Sequence, residues 1–467
     1  MFNLPLRDGY SLTMSDTKKD PMYDWLNILL PRALPWLIPG VLVPVGLMSG
    51  WTIHTLQQIR FHRVAKEFHG KIPPLPVESQ REGAGSLAEI VGRLGLDTFK
   101  PLNIDGYVST NLRATVDIAP MYLDTFPKLR GRVFPYPEPF HETVIPGFKG
   151  VALSGVLGMH AARRPRPTLL VVHGLLNSKH NDLVRIPMMK AFYQWGFNVC
   201  AIDLRMFGKT ANFSSLPSSG GGLEARDLLE VIRYLKKFPN VTSVGVLGFS
   251  LGAGAALNAA GLAGEDVENL IDGGVLAVCP PLSFERTLDR LEHPPEEIDY
   301  LPIYHFFHLL MKRMLDSADV MRWVRKKLKE NGGDPEIHNF TDFLKKLVAW
   351  GYIGVESGRQ DTSTDHLFKL LLRITHPGRA LSRVRVPTLM LAAKDDPLAR
   401  LTDDDRAMLS RVSHDNSNLH FHETSHGGHC GYVVVARRWF YQTVRNYFSY
   451  WGKWEHRKMP LFPGGER

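Results

Sequence analysis

Residues 243–263 read SVGVLGFSLGAGAALNAAGLA, and this stretch decides the fold class. Ser243 to Leu247 is a short apolar run of the buried-strand type. From Leu251 an Ala/Gly-rich run suits a helix that packs close to its neighbours. Gly248-Phe249-Ser250-Leu251-Gly252 joins the two. A strand that turns straight into a helix holds the corner residue in a strained backbone conformation. Flanking glycines remove side chains that would clash with the adjoining strand and helix. A serine at such a corner is a candidate nucleophile, but its hydroxyl is weak at neutral pH and needs a base within hydrogen-bond reach.

Outward from this turn, apolar strand-like runs alternate with helical ones. HETVIP (141–146) and GVALSGVLGMH (150–160) read as two strands joined by a Gly-containing turn. TLLVVHG (168–174), FNVCAID (197–203), GGVLAVCP (273–280), VPTLMLAAKDD (386–396) and LHFHET (419–424) supply further strands. IPMMKAFYQWG (186–196), LEARDLLEVIRYLKKF (223–238) and ARRWFYQTVRNYFSYW (436–451) read as helices. The alternation predicts an α/β fold: a mostly parallel sheet with helices on both faces.

The candidate base is His429 in SHGGHCGY, a Gly-rich loop after the last predicted strand; Gly427 and Gly428 give the backbone freedom to turn the ring inward. His426 is its competitor. The base needs a carboxylate to hold its tautomer and stabilise the imidazolium. LMLAAKDDPL offers Asp396, where the turn begins before Pro397, with Asp395 as the alternative. The tetrahedral oxyanion needs two convergent N–H donors. Leu251, next after the serine, and Leu175, in the loop after TLLVVHG, are assigned to it. His173 and Asp203 read as residues that fix loops, and Asp403 to Asp405 as charges at a helix N-terminus. His420 and His422 share a strand face and read as structural. No Cys or carboxylate spacing beside them matches a metal site, so neither metal nor organic cofactor is expected.

The chain divides on paper into six parts. Residues 1–72 are a tail and a hydrophobic segment, 73–140 a linker or extension, 141–280 and 387–455 the two halves of the core, and 456–467 a second tail. Between them, 281–386 breaks the alternation and looks helical, including a basic amphipathic segment near Ile303–Lys329; an insertion there suits a cap over the carboxyl ends of the strands. Residues 82–140 carry no pattern to which a role attaches.

From Ala33 to Ile59 no residue is charged, a length that can cross a bilayer, and Trp25, Trp36 and Trp51 suit its interfaces. Arg60, Arg63, Lys66 and Lys71 follow at once, which places the bulk of the chain on the cytoplasmic side. The expectation is membrane association through residues 33–59, the alternative being a segment packed on the protein's own body. The formal charge of +9 fits an anionic surface, and without a zinc finger, an RNA-recognition signature or a long basic run a nucleic-acid partner is not expected. With 467 residues, 44% hydrophobic and 22% charged, the chain is an ordinary globular one. Its three cysteines, Cys200, Cys279 and Cys430, do not suggest a disulfide framework.

VVHGLLNS, DLRMFGKT, GFSLGAG, AAKDDPL and HGGHCGY together resemble the α/β-hydrolase superfamily over roughly residues 140–450. The paired DDP and the GGHCGY ending are similar to its YheT-like branch, which includes membrane-associated esterases and lipases. The loop at Arg205-Met206-Phe207-Gly208 departs from the usual Arg-Gly-x-Gly. The resemblance implies the α/β-hydrolase fold and a serine hydrolase that cleaves carboxylic esters, lipid acyl esters among them, through Ser250, Asp396 and His429. An acyltransferase using the same residues, or a non-catalytic ligand-binding homologue, is the alternative.

Overall fold

A computed structural model of the protein describes residues 43–68, 86–113, 135–160, 165–212, 218–264, 270–293, 326, 329–330, 336, 338–349 and 363–454. The chain divides into two units, Met1–Val45 and Gly46–Arg467, and the sheet and its surroundings belong to the second.

Among the described residues, eight strands form one sheet in the order β1-β2-β4-β3-β5-β6-β7-β8. They are β1 (His141–Pro146), β2 (Ala152–Gly158), β3 (Arg166–Val172), β4 (Asn198–Ile202), β5 (Val241–Phe249), β6 (Val275–Val278), β7 (Thr388–Ala393) and β8 (Leu419–Thr424). β1 and β2 pair antiparallel, and β2 joins β4 antiparallel. From β4 to β8 every pairing is parallel. Parallel strands need crossovers, and helices laid on both faces bury them. Thus β3, β4, β6 and β7 are buried along their whole length.

The helices used below are α1 (Val43–Phe68), α2 (Leu87–Leu94), α3 (residues 106–113), α4 (Asp182–Lys190), α5 (Gly222–Leu235), α6 (Leu251–Ala263), α7 (Phe284–Glu292), α8 (Phe340–Ala349), α9 (Thr364–Ile374), α10 (Asp403–Asp415) and α11 (Arg437–Trp451). The Ala/Gly face of α6 lets it sit almost wholly buried beside the sheet. On the other side α11 packs through Phe440, Val444, Tyr447 and Phe448. The Tyr447 hydroxyl lies 2.9 Å from the Val275 carbonyl and 2.8 Å from that of Pro387, tying α11 to β6 and the entry of β7.

The acidic run 403–405 opens α10, where the Thr402 hydroxyl accepts the Asp405 N–H and the Asp405 carboxylate accepts the Thr402 N–H. Between β6 and β7 the described elements are α7, α8, α9 and a short turn of helix at Gly378–Leu381. Most of the segment Ile303–Lys329 lies outside the described residues.

The uncharged run Ala33–Ile59 does not end with its own helix. Residues 33–42 lie outside the described residues, and the rest runs on into α1, whose Phe61 and Ala65 are buried in the core. The Arg185 guanidinium lies 5.9 Å from the Phe61 ring centroid. Among the described residues, no helix is long and apolar enough to cross a membrane.

Candidate active site

The parallel strands end at one edge, and four of the loops there converge. Ser250 follows β5, Asp396 lies just beyond β7, His429 follows β8, and His173-Gly174-Leu175 follows β3. Chain order Ser, Asp, His becomes a single hydrogen-bonded row.

Ser250 sits at φ 51°, ψ −118°, a positive φ that a non-glycine residue rarely adopts. Its N–H donates to the Val278 carbonyl at 2.9 Å, which pins the turn to β6. Both flanking glycines are required by space. A Cβ on Gly248 would lie 2.5 Å from the Gly252 carbonyl oxygen, and one on Gly252 would lie 2.5 Å from that of His173. The N-terminus of α6, with the Leu251 N–H first in it, therefore starts directly at the serine and carries the partial positive charge of its unpaired amides.

The His429 Nε2 lies 2.8 Å from Ser250 Oγ, and its Nδ1 lies 3.0 and 3.1 Å from the two Asp396 oxygens. Asp396 Oδ1 also accepts the N–H groups of Leu398 and Ala399, each at 2.8 Å. Burial alone would raise this carboxyl's pKa. The facing imidazole and the two amides outweigh it and hold the group below the usual carboxylate range. Burial likewise pulls the His429 imidazole down, but the Asp396 carboxylate overrides it and the ring titrates above its ordinary value. An ionised Asp396 accepts a hydrogen bond from the His429 Nδ1–H, which keeps the proton on Nδ1 and leaves Nε2 as the acceptor facing the serine hydroxyl.

Asp395 does something else. Its Oδ1 accepts the Gly428 N–H at 2.8 Å, and burial raises its pKa. His426 is half-buried, with Nδ1 3.0 Å from Ser425 Oγ, and is not part of the row. His420 and His422 are half-buried on β8, where burial lowers both imidazoles. Among the described residues, no group of three or more His, Cys, Asp or Glu side chains could hold a metal ion.

The loop after β3 is braced from β4. His173 accepts the Leu204 N–H on Nε2 at 2.9 Å and donates from Nδ1 to the Gly174 carbonyl at 2.7 Å. That carbonyl belongs to the Gly174–Leu175 peptide, so in a trans unit the Leu175 N–H points the opposite way. A Cβ on Gly174 would lie 3.5 Å from Ser250 Oγ, which puts this loop against the serine. Asp203 holds the same loop farther along. It accepts the Lys179 N–H at 2.7 Å, and its other oxygen lies 2.5 Å from the Lys179 ammonium, with both side chains fully buried. In the Arg-Met-Phe-Gly departure, Met206 adopts φ 67°, a conformation that glycine takes without strain. Arg205 makes a buried two-pronged pair with Asp227, at 2.5 and 2.7 Å.

One part of the surroundings carried no sequence signal. Residues 106–113, from the extension without a pattern, lie against the histidine loop, and the Thr110 hydroxyl accepts the His429 N–H at 2.8 Å. Cys279 at the end of β6 accepts the next N–H, that of Cys430, on its sulfur at 3.3 Å. All three cysteines are free and buried.

A family profile described as the alpha/beta hydrolase family matches residues 169–441, more than half of the chain. A curated protein of Synechocystis sp., provisionally named an esterase, is 24% identical over 323 residues, covering 62% of this chain and 77% of its own. An esterase structure from Pyrococcus furiosus is similar at 17% identity and a TM-score of 0.43, covering 67% of this chain and 92% of that one. A hyperthermophilic esterase from Pyrobaculum calidifontis is similar at 15% identity and a TM-score of 0.42, covering 77% and 97%.

Proposed function

The chain belongs to the alpha/beta hydrolase family, and from that premise we propose that it is a serine hydrolase cleaving carboxylic esters, with Ser250 as nucleophile, His429 as base and Asp396 as the acid that orients it. The observation that carries the proposal is the unbroken row Ser250 Oγ, His429 Nε2, His429 Nδ1, Asp396 at 2.8 and 3.0 Å. His429 takes the hydroxyl proton as Ser250 Oγ attacks the ester carbonyl. The carbonyl oxygen becomes an oxyanion, held by the N–H groups of Leu251 and Leu175. The tetrahedral adduct collapses, the alcohol leaves with the proton from His429, and an acyl-serine remains. Water, deprotonated by the same imidazole, then releases the carboxylic acid. The provisional name of the Synechocystis relative points the same way.

The test is labelling of the full-length protein with a fluorophosphonate probe, alongside hydrolysis of p-nitrophenyl esters of graded chain length. Wild type should label and turn over, and Ser250→Ala should do neither while keeping its thermal unfolding transition. Labelling that persists in Ser250→Ala sinks the assignment.

A lipid acyl ester and a membrane setting, with the catalytic body on the cytoplasmic side, extend this proposal. Their support is the exposure of Met48 (71%), Leu56 (61%) and Ile59 (54%) on α1, followed by exposed Arg60, Arg63 and Lys66. Apolar side chains beside basic ones favour an anionic lipid surface. Full-length protein should sediment with anionic vesicles, and removal of residues 1–60 should release it while sparing turnover of a small soluble ester. Full-length protein that stays in the supernatant rejects the membrane part alone.

A further inference from the structure

The histidine loop has a run of backbone N–H groups that must each find an acceptor, because Gly428 through Gly431 are buried. Gly428 donates to Asp395 Oδ1, Cys430 to Cys279 Sγ and Gly431 to the Gly427 carbonyl. The remaining one, on His429 itself, goes to Thr110, which lies 319 residues away in the chain. Thr110 is 1% exposed. Its hydroxyl donates to the Gly106 carbonyl one helical turn back at 2.6 Å, so its proton is committed and a lone pair faces His429.

The surrounding fit is equally close. A Cβ on Gly428 would lie 2.6 Å from both the Gly106 carbonyl oxygen and Thr110 Oγ1. Gly106 in turn has no room for a side chain against Asp395. One short segment, residues 105–113, thus abuts the acid turn and the histidine loop together. Asp105 starts it by accepting the Tyr107 N–H on its side chain at 2.8 Å.

We infer that Thr110 is a positioning residue for the hydrolysis proposed above, on which this inference rests: its hydroxyl fixes the His429 backbone and so aims the ring between Asp396 and Ser250. The Nε2–Oγ link of 2.8 Å tolerates little displacement, and an error of about 1 Å in placing a catalytic group costs roughly 10²-fold in rate. The His429 N–H is one residue's backbone away from the ring it controls. With the hydroxyl removed, that amide is buried without an acceptor, and the loop must shift to find one.

The test uses the full chain, p-nitrophenyl butyrate, and active sites counted by fluorophosphonate titration. Thr110→Ser keeps the acceptor and should stay within about 3-fold of wild type in kcat. Thr110→Ala and Thr110→Val differ in volume but both lack it, and both should lose roughly 10- to 100-fold in kcat per titrated site, with KM within about 3-fold. In both, the acidic limb of kcat/KM should move to lower pH, because a displaced ring loses the Asp396 carboxylate that raises it. Wild-type kcat and an unmoved limb in Ala or Val overturn the inference, and so does a loss in Ser as large as that in Ala. If Ala and Val yield no titratable enzyme, Thr110→Cys makes the same comparison with a weaker acceptor. A lowered kcat at constant KM then supports the role, and an unchanged kcat overturns it. A wild type that neither labels nor turns over overturns the serine-hydrolase reading first, and that is read before any substitution.

Discussion

The turn that carries Ser250 and the loop that carries His429 face each other across 2.8 Å and are built in opposite ways. The serine turn is local. Strand β5, Gly248, the strained Ser250, Gly252 and helix α6 are contiguous, and each glycine answers a clash with a near neighbour in the turn or with the adjoining strand β3. The histidine loop is assembled from afar, from Asp396 and Asp395 after β7, Cys279 after β6 and Thr110 upstream of the sheet. A local device survives as a readable word. A device made of long-range hydrogen bonds leaves single residues scattered in the sequence.

The sharpest way to break this contrast is at the two adjacent carboxylates. Asp396→Asn should lower kcat by on the order of 10⁴, because the amide favours the wrong His429 tautomer. Steady-state kinetics with titrated active sites would check it, and a loss below about tenfold would mean that the ring does not depend on that carboxylate.

Gly428→Ala strikes the histidine loop itself. Gly428 has φ 51° and no room for a Cβ against Gly106 and Thr110. Strain of about 1–2 kcal/mol for the left-handed conformation, with the displaced loop added, should lower kcat by roughly 10²-fold. The same substitution in the local turn, Gly252→Ala, meets the His173 carbonyl instead. It should cost about 1–3 kcal/mol of stability by overpacking, read as a lower denaturant midpoint at unchanged m. A Gly252→Ala protein as stable as wild type would show that the turn has slack.

A smaller effect is expected in the pH profile. In the proposed mechanism His429 must be neutral to accept the serine proton, so kcat/KM should rise with pH through the pKa of the free enzyme's imidazole. The Asp396 carboxylate raises that pKa, so the limb should lie above the ordinary imidazole value of about 6.5. Asp396→Asn should move whatever activity remains to lower pH. A limb moving to higher pH would contradict the charge argument. Least affected should be Asp395→Asn, within roughly 5-fold in kcat, since the amide oxygen still accepts the Gly428 N–H.

How much could be read in advance follows the same division. The alternation of apolar strands and amphipathic helices marked the parallel sheet, because a buried parallel strand has to be a short apolar run bounded by turns. The strand-to-helix serine was legible for the same reason. The order Ser250, Asp396, His429 narrowed the site, and turn position and the Gly427-Gly428 pair favoured Asp396 over Asp395 and His429 over His426 without a contact to separate them. Residues 106–113 were silent: the buried face of this helix, Gly106, Ser109 and Thr110, is small and polar while Val108 and Leu112 are exposed, so no apolar period marks it, and a threonine that accepts one N–H looks like any other.

By itself, then, the sequence determined the α/β architecture and the residues able to stand at the carboxyl edge of the sheet, since both follow from local periodicity and turn chemistry. Only the tertiary structure decided that Asp396 faces the His429 ring while Asp395 holds the Gly428 amide. The side chains of adjacent residues diverge, and which of them meets the ring and which the amide in the loop after β8 depends on the register of β7 against β8. The tertiary structure also brought Thr110 onto His429, because a contact across 319 residues exists only once the chain between them has folded.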